Sequence, residues 1–115
     1  MLIPRQHRLS IEKLIELILN KKHLGDGQYC IYTKDSEARM SRNLVVYIDN
    51  YPEEDAGGDD LFSDFVVSNE LDLYYYGDQF IDVVNNAIHQ KPDATIDELV
   101  EAGNFYLEND NFITF

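Results

Sequence analysis

The chain has 115 residues and a formal net charge of −13, with 44% apolar residues, eight Tyr, six Phe and one Cys. This length suits one domain, residues 1–115, burying about two thirds of its unfolded surface, and the aromatic content excludes an acidic disordered chain, which lacks residues to offset ordering entropy. Solubility needs a net charge of only about 2 to 8 in magnitude, so the excess implies a positively charged partner that relieves self-repulsion.

Ile11, Leu14, Ile15 and Ile18 recur at i, i+3, i+4 and i+7, which predicts an amphipathic helix with Ser10 as N-cap and Leu9 stapled onto Leu14. Lys21 and Lys22 suit its last turn and Gly25 its end. Tyr29 to Thr33 and Leu44 to Ile48, rich in β-branched and aromatic residues, are two strands. The polar segment Lys34 to Asn43 between them reads as a long hairpin connection, so the strands are antiparallel neighbours. Tyr51 to Asp60 carries Pro52, Gly57-Gly58 and five acids, and reads as a surface loop. Leu61 to Val67 fits a short helix or a strand equally. From Leu71 the alternation predicts a strand with Leu71, Leu73 and Tyr75 inward and Asp72, Tyr74 and Tyr76 outward. A helix opens near Asp78, with Phe80, Val83, Val84, Ala87 and Ile88 on its core face, and Pro92 stops it. The last helix starts with the capping box of Thr95 and Glu98, with core positions Ile96, Leu99, Val100, Gly103 and Leu107. Gly103 in mid-helix implies close approach of another backbone. Asn109 to Asn111 end the helix, and Phe112, Ile113 and Phe115 dock the tail. The predicted class is α+β, a single domain with an N-terminal helix, a small antiparallel sheet and two C-terminal helices packed on it. Leu44 to Ile48 is apolar on both faces, so it is either central in one sheet or paired across a homodimer.

Charge is divided along the chain. Residues 1–50 hold eight Lys or Arg against six acids, whereas residues 51–115 hold one Lys against sixteen acids. The loop acids lack the alternating order and terminal bidentate Glu of a calcium loop. No phosphate-cradling Gly-rich loop, His-Glu-x-x-His, paired Cys or Gly-x-Ser-x-Gly occurs, so no catalytic residue, metal or cofactor is expected. His7, His23 and His89 sit at a terminus and near helix ends, and Cys30 lies in an apolar run as a core residue. Direct nucleic-acid binding is disfavoured, because phosphate contacts need clustered cations, which the second half lacks. No apolar run of about 18 residues offers a membrane span, and no signal-peptide core follows Met1 to Arg8. The expected location is the cytoplasm. Tyr74-Tyr75-Tyr76 beside Asp72 and Asp78 reads either as an exposed recognition surface or as a Tyr-rich sheet covered by a helix.

The stretch from Tyr74-Tyr75-Tyr76-Gly77-Asp78-Gln79-Phe80 through Gln90-Lys91-Pro92 to Phe105-Tyr106-Leu107-Glu108-Asn109-Asp110-Asn111-Phe112-Ile113 resembles a family of small bacterial proteins of unassigned function. It also resembles the immunity proteins encoded beside contact-dependent growth inhibition toxins. The resemblance implies a cytoplasmic, non-enzymatic protein that occludes the basic active-site cleft of one cognate nuclease toxin, and an RNase or tRNase is expected. The expected partner-binding residues are Glu53, Glu54, Asp55, Asp59 and Asp60 in the loop, with Asp72, Tyr74, Tyr76, Asp78 and Asp82 around the second helix. The carboxylates would pair with toxin Lys or Arg, and the tyrosines would anchor. The alternative is a DNA-mimic inhibitor of a restriction or other defence enzyme, for which the same acidity serves.

Overall fold

The computed structural model describes residues 5–20 and 28–115. In chain order the elements are β1 (His7–Ser10), α1 (Ile11–Leu19), β2 (Cys30–Thr33), β3 (Val45–Asp49), β4 (Glu53–Glu54), β5 (Asp60–Leu61), α2 (Asp64–Ser68), β6 (Asp72–Tyr76), α3 (Gly77–Gln90) and α4 (Ile96–Asn109). Four strands form an antiparallel sheet in the order β1-β3-β2-β6, and β4 and β5 form a separate two-stranded ribbon. The α+β class, the N-terminal helix and the two C-terminal helices are as the sequence predicts.

Alternation along the strands gives the sheet two apolar faces. Ile31, Val46 and Ile48 meet α1, α3 and α4 in the main core, with Ile11, Leu14, Ile15 and Ile18 from α1 and Phe80, Val83 and Val84 from α3. Cys30, Tyr32 and Tyr47 point the other way, into a smaller cluster closed by Phe62, Phe65, Val66 and Leu71. The segment 62–71 is therefore a lid over the second face, and α2 is its rigid part. Ser63 caps α2, accepting from the Val66 amide at 3.3 Å. At its other end the Leu71 amide donates to Val66 O and the Glu70 amide to Val67 O, with Glu70 at φ 53°. That pairing is a Schellman motif, in which Leu71 and Val66 also make the apolar contact.

The helical layer is anchored by local signals the sequence carries. Ser10 caps α1 through the Lys13 amide, and the capping box of Thr95 and Glu98 opens α4. The first amides of α1 donate to Leu44 O (2.9 Å) and Arg42 O (3.0 Å), which uses two of the donors a helix start leaves unpaired. The long connection 34–43 is tied down as well. Asn104 of α4, only 4% exposed, accepts from the Met40 amide at 2.8 Å and donates to Met40 O at 3.0 Å.

Several expectations are corrected. The chain before α1 is a strand, because His7–Ser10 pairs in register with Val45–Ile48. α1 is Ile11–Leu19 with Asn20 as cap; the expectations for Lys21, Lys22, His23 and Gly25 fall on residues outside the described ones. Tyr51 to Asp60 is not wholly loop, since Glu53 pairs with Leu61 and Glu54 with Asp60. Gly103 faces side chains rather than a backbone: a Cβ there would lie 3.1 Å from Met40 Sδ and 3.3 Å from Phe80 Cε1. Leu107 is exposed rather than a core position, and Asn104 is the buried residue of that turn of α4. Phe115 is exposed too, whereas Ile113 does pack on the core and Phe112 lies 5.4 Å from the Tyr106 ring.

The largest correction concerns β6. Tyr75 faces Ile31 and Leu73 faces Tyr32, which leaves Tyr74 as the extra residue of a β-bulge. The bulge breaks the alternation, so Tyr74 and Tyr75 both enter the helical core while Leu73 falls on the opposite face. Tyr74 is 8% exposed and its hydroxyl donates to Ala38 O at 2.8 Å. It is a core residue and not part of an outward recognition surface.

Candidate functional site

Tyr51 is the residue that joins the two predicted regions. It leaves β3 just beyond Asn50, its ring stacks on Tyr76 at 5.7 Å, and its hydroxyl donates to Asp78 Oδ1 at 2.9 Å. Burial, and then the hydrogen bond to Asp78, push the Tyr51 phenol well above its ordinary range, so it stays a neutral donor. Two residues further on, Glu53 begins the acidic ribbon. Tyr76, 43% exposed, and Asp78 are thus brought beside the loop. Asp82 follows Asp78 at i+4 on the same face of α3. Asp72 is separated from them, at the far end of β6 opposite Thr33, about 13 Å along the strand from Tyr76 at the usual rise.

Within the ribbon the acids differ in role. Asp55 Oδ1 accepts from the Gly57 amide at 2.8 Å and the Asp59 amide at 3.0 Å, so its carboxylate shapes the turn. Gly58 supplies the positive φ of 86° that the turn requires. Glu54 and Asp60 face one another directly across the ribbon. Like charges in opposed positions destabilise a strand pair by tenths of a kcal/mol to about 1 kcal/mol, and a cation between them would reverse that sign.

A groove of about 520 Å³ runs between the ribbon and the lid. Tyr51, Leu61 and Phe62 supply its apolar walls, with Glu53 and Asp64 at its edge. Behind it lies Asp49, 1% exposed, whose Oδ2 accepts from the Ser63 hydroxyl at 2.5 Å. The Asn50 end is braced: Arg5 Nε donates to Asn50 Oδ1 at 2.6 Å and the Tyr32 hydroxyl donates to Asn50 O at 2.8 Å. Cys30, on the same sheet face as Asp49, is buried, and burial pushes its thiol up to about 12. Thiolate, the nucleophilic form, is scarce there at neutral pH. Among the described residues no group of three or more His, Cys, Asp or Glu is placed to hold a metal ion.

The ion pairs sort the charge in space. Arg39 pairs with Glu101 and Glu108, Arg42 with Glu12 and Asp97, Lys91 with Glu98, and Lys13 with Glu16. Every one of these acids lies on α1 or α4. The acids of the ribbon, Asp64, Asp72, Asp78 and Asp82 form no ion pair among the described residues. Among the described residues, four cations thus pair with acids of the helical layer, and the acids of the ribbon, the groove edge and the start of α3 have no ion pair.

A family model described as a domain of unknown function, DUF7716, matches residues 11–115, which takes in every element from α1 onward. The chain belongs to the DUF7716 family. Comparison with curated proteins and with solved structures gives no match. In this DUF7716 chain no helix among the described residues is long and apolar enough to cross a membrane.

Sequence reasoning missed the groove. It named Glu53 but not Tyr51, Phe62 or Asp64, because the groove forms from segments on either side of the ribbon that meet only once β4 and β5 pair. The available signal was the ambiguity of Leu61 to Val67: Ser63 followed by Asp64 is an N-cap with an acidic first turn, which favours the helix.

Proposed function

We propose that this DUF7716 chain is a non-catalytic binding protein that neutralises a basic protein partner. The specific form of the proposal is an immunity protein in the cytoplasm that covers the cationic active-site cleft of a cognate nuclease toxin domain, an RNase or tRNase. The observation that carries it is the spatial sorting of charge: among the described residues, cations pair with the acids of α1 and α4, and the acids from Glu53 to Asp82 form no ion pair. Self-repulsion at that face falls when a basic surface covers it. Complementary charge also steers encounter, to about 10⁸–10⁹ M⁻¹s⁻¹ at low salt, which suits an inhibitor that must act before RNA is cut. The resemblance of Tyr74 to Ile113 to growth-inhibition immunity proteins points the same way. The binding residues under this reading are Glu53, Glu54, Asp59, Asp60, Tyr76, Asp78 and Asp82, with Asp55 shaping the turn that presents them.

The test is affinity capture with the tagged chain from its native cell at low and moderate salt, followed by a cleavage assay on what is retained. One basic domain held at both salts, whose RNA cleavage stops at one equivalent of the chain, is the expected result. Several DNA-binding proteins released by salt would favour the DNA-mimic alternative. An empty column, or a retained protein whose activity is untouched, would retire the proposal.

A further inference from the structure

Resting on that reading, we propose that the groove between the ribbon and the lid is the anchor of the interface and that its occupant is an arginine side chain of the partner. Its volume of about 520 Å³ lies in the usual range of ligand clefts, roughly 300–1,000 Å³, enough for one long side chain and the backbone that carries it. Tyr51 and Phe62 offer aromatic surface, and Leu61 is 52% exposed beside them. Glu53 and Asp64 line it as exposed residues and form no ion pair among the described residues. Among the described residues no Lys or Arg lines the groove.

That combination selects among cations. A guanidinium is planar and weakly hydrated, stacks on aromatic faces and forks onto carboxylates, whereas an ammonium is a strongly hydrated point charge that gains less from aromatic walls. Charge complementarity rejects the other occupants. A nucleic-acid strand would bring phosphates to two unpaired carboxylates, and a second copy of the chain would bring a body of charge −13. Asn50 is already engaged by Arg5, which also lies over the Tyr29 ring at 5.9 Å, so the incoming side chain meets Glu53 and Asp64 instead.

The probe is a pair of capped pentapeptides, Gly-Arg-Leu-Arg-Gly and Gly-Lys-Leu-Lys-Gly, titrated into the ¹⁵N-labelled full chain at physiological salt. The expected result is amide shifts concentrated at residues 50–53 and 61–64, with the Arg peptide at least about fivefold tighter than its Lys twin. Removing both edge charges by Glu53→Gln with Asp64→Asn should weaken the Arg peptide about tenfold, two exposed charge-assisted contacts being lost. Glu37→Gln with Asp93→Asn, an equal charge change elsewhere, should alter it less than about twofold. Glu53→Gln alone, which leaves the first turn of α2 intact, should still weaken binding about threefold. Equal affinity for the two peptides, shifts spread over all exposed acids, or an equal loss in the control variant would overturn the proposal. If the peptides ignore the groove while the chain still captures and inhibits a basic protein, the arginine anchor falls and the neutralising function stands. Loss of capture and inhibition retires that function whatever the peptides do.

Discussion

Replacing Asn104 by Ala should be strongly destabilising, because its amide is the clamp that holds the 34–43 connection against α4. The side chain satisfies both the N–H and the C=O of Met40, at 2.8 and 3.0 Å, and both residues are 4% exposed. Truncation leaves a buried donor and a buried acceptor, each costing about 1–3 kcal/mol when unmade. A small groove of about 180 Å³ is lined in part by Asn104, Ala38 and Tyr74, and water entering it after truncation would offset some of this. The expected loss is about 2–4 kcal/mol. An unfolding entropy of about 2.1 cal/mol/K per residue gives about 0.24 kcal/mol/K for a chain this long, so Tm should fall by roughly 8–16 °C. Arg39 sits beside the clamp and bonds Glu101 and Glu108, but its side chain is more than half exposed. Arg39→Ala should therefore destabilise far less than Asn104→Ala, because an exposed ion pair is screened by solvent. Thermal and urea unfolding followed by circular dichroism reads both. An Asn104→Ala variant within about 0.5 kcal/mol of the parent, the resolution of such measurements, or one less damaged than Arg39→Ala, would refute the clamp.

Three further outcomes follow from particular residues. Glu70 occupies the left-handed position of the Schellman motif at φ 53°, where Gly carries no Cβ penalty, so Glu70→Gly should stabilise by up to about 1 kcal/mol in urea unfolding; a loss of stability would contradict the motif. A Cβ on Gly77 would lie 2.4 Å from Tyr29 O and 2.7 Å from its ring, so Gly77→Ala should cost about 1–3 kcal/mol or more by overpacking, and a neutral variant would show that the β6–α3 junction yields. The hydrogen bonds from Lys91 and then from the Thr95 amide hold the Glu98 carboxyl below its ordinary value. A depressed carboxyl stabilises the fold above its unfolded pKa of about 4.3 and loses that contribution as pH falls through the folded value. Glu98→Gln should thus flatten the stability loss on the acid limb, read by Tm against pH; an unchanged slope would count against the Lys91 contact that holds the carboxyl down.

What was legible in the sequence was whatever a short window contains. The caps at Ser10 and Thr95 and the apolar stripes of α1 and α3 depend on residues within two turns of each other, and they stand as predicted. β1 was illegible because four residues become a strand only through pairing with β3, forty positions away in sequence. The faces of β6 were misassigned for a similar reason: the bulge at Tyr74 is set by the register against β2, and strict alternation then puts Tyr74 outside and Leu73 inside. For the candidate site the acids could be named, yet the division between paired and unpaired ones could not. Arg39 and Arg42 reach α4 across more than fifty residues of sequence, and only that contact shows which carboxylates they neutralise.

The central claim is that the unpaired acids of the ribbon and groove meet a cationic protein surface, and association kinetics test it most directly. The partner obtained by affinity capture would be measured against the parent chain, against Glu53→Lys with Asp60→Lys, and against Glu37→Lys with Asp93→Lys, at several salt concentrations. The account predicts that reversal on the ribbon slows association by about tenfold or more at low salt and weakens its salt dependence, while the control pair stays near the parent. Equal rates for the two reversed variants would contradict it, because the ribbon would then lie outside the interface.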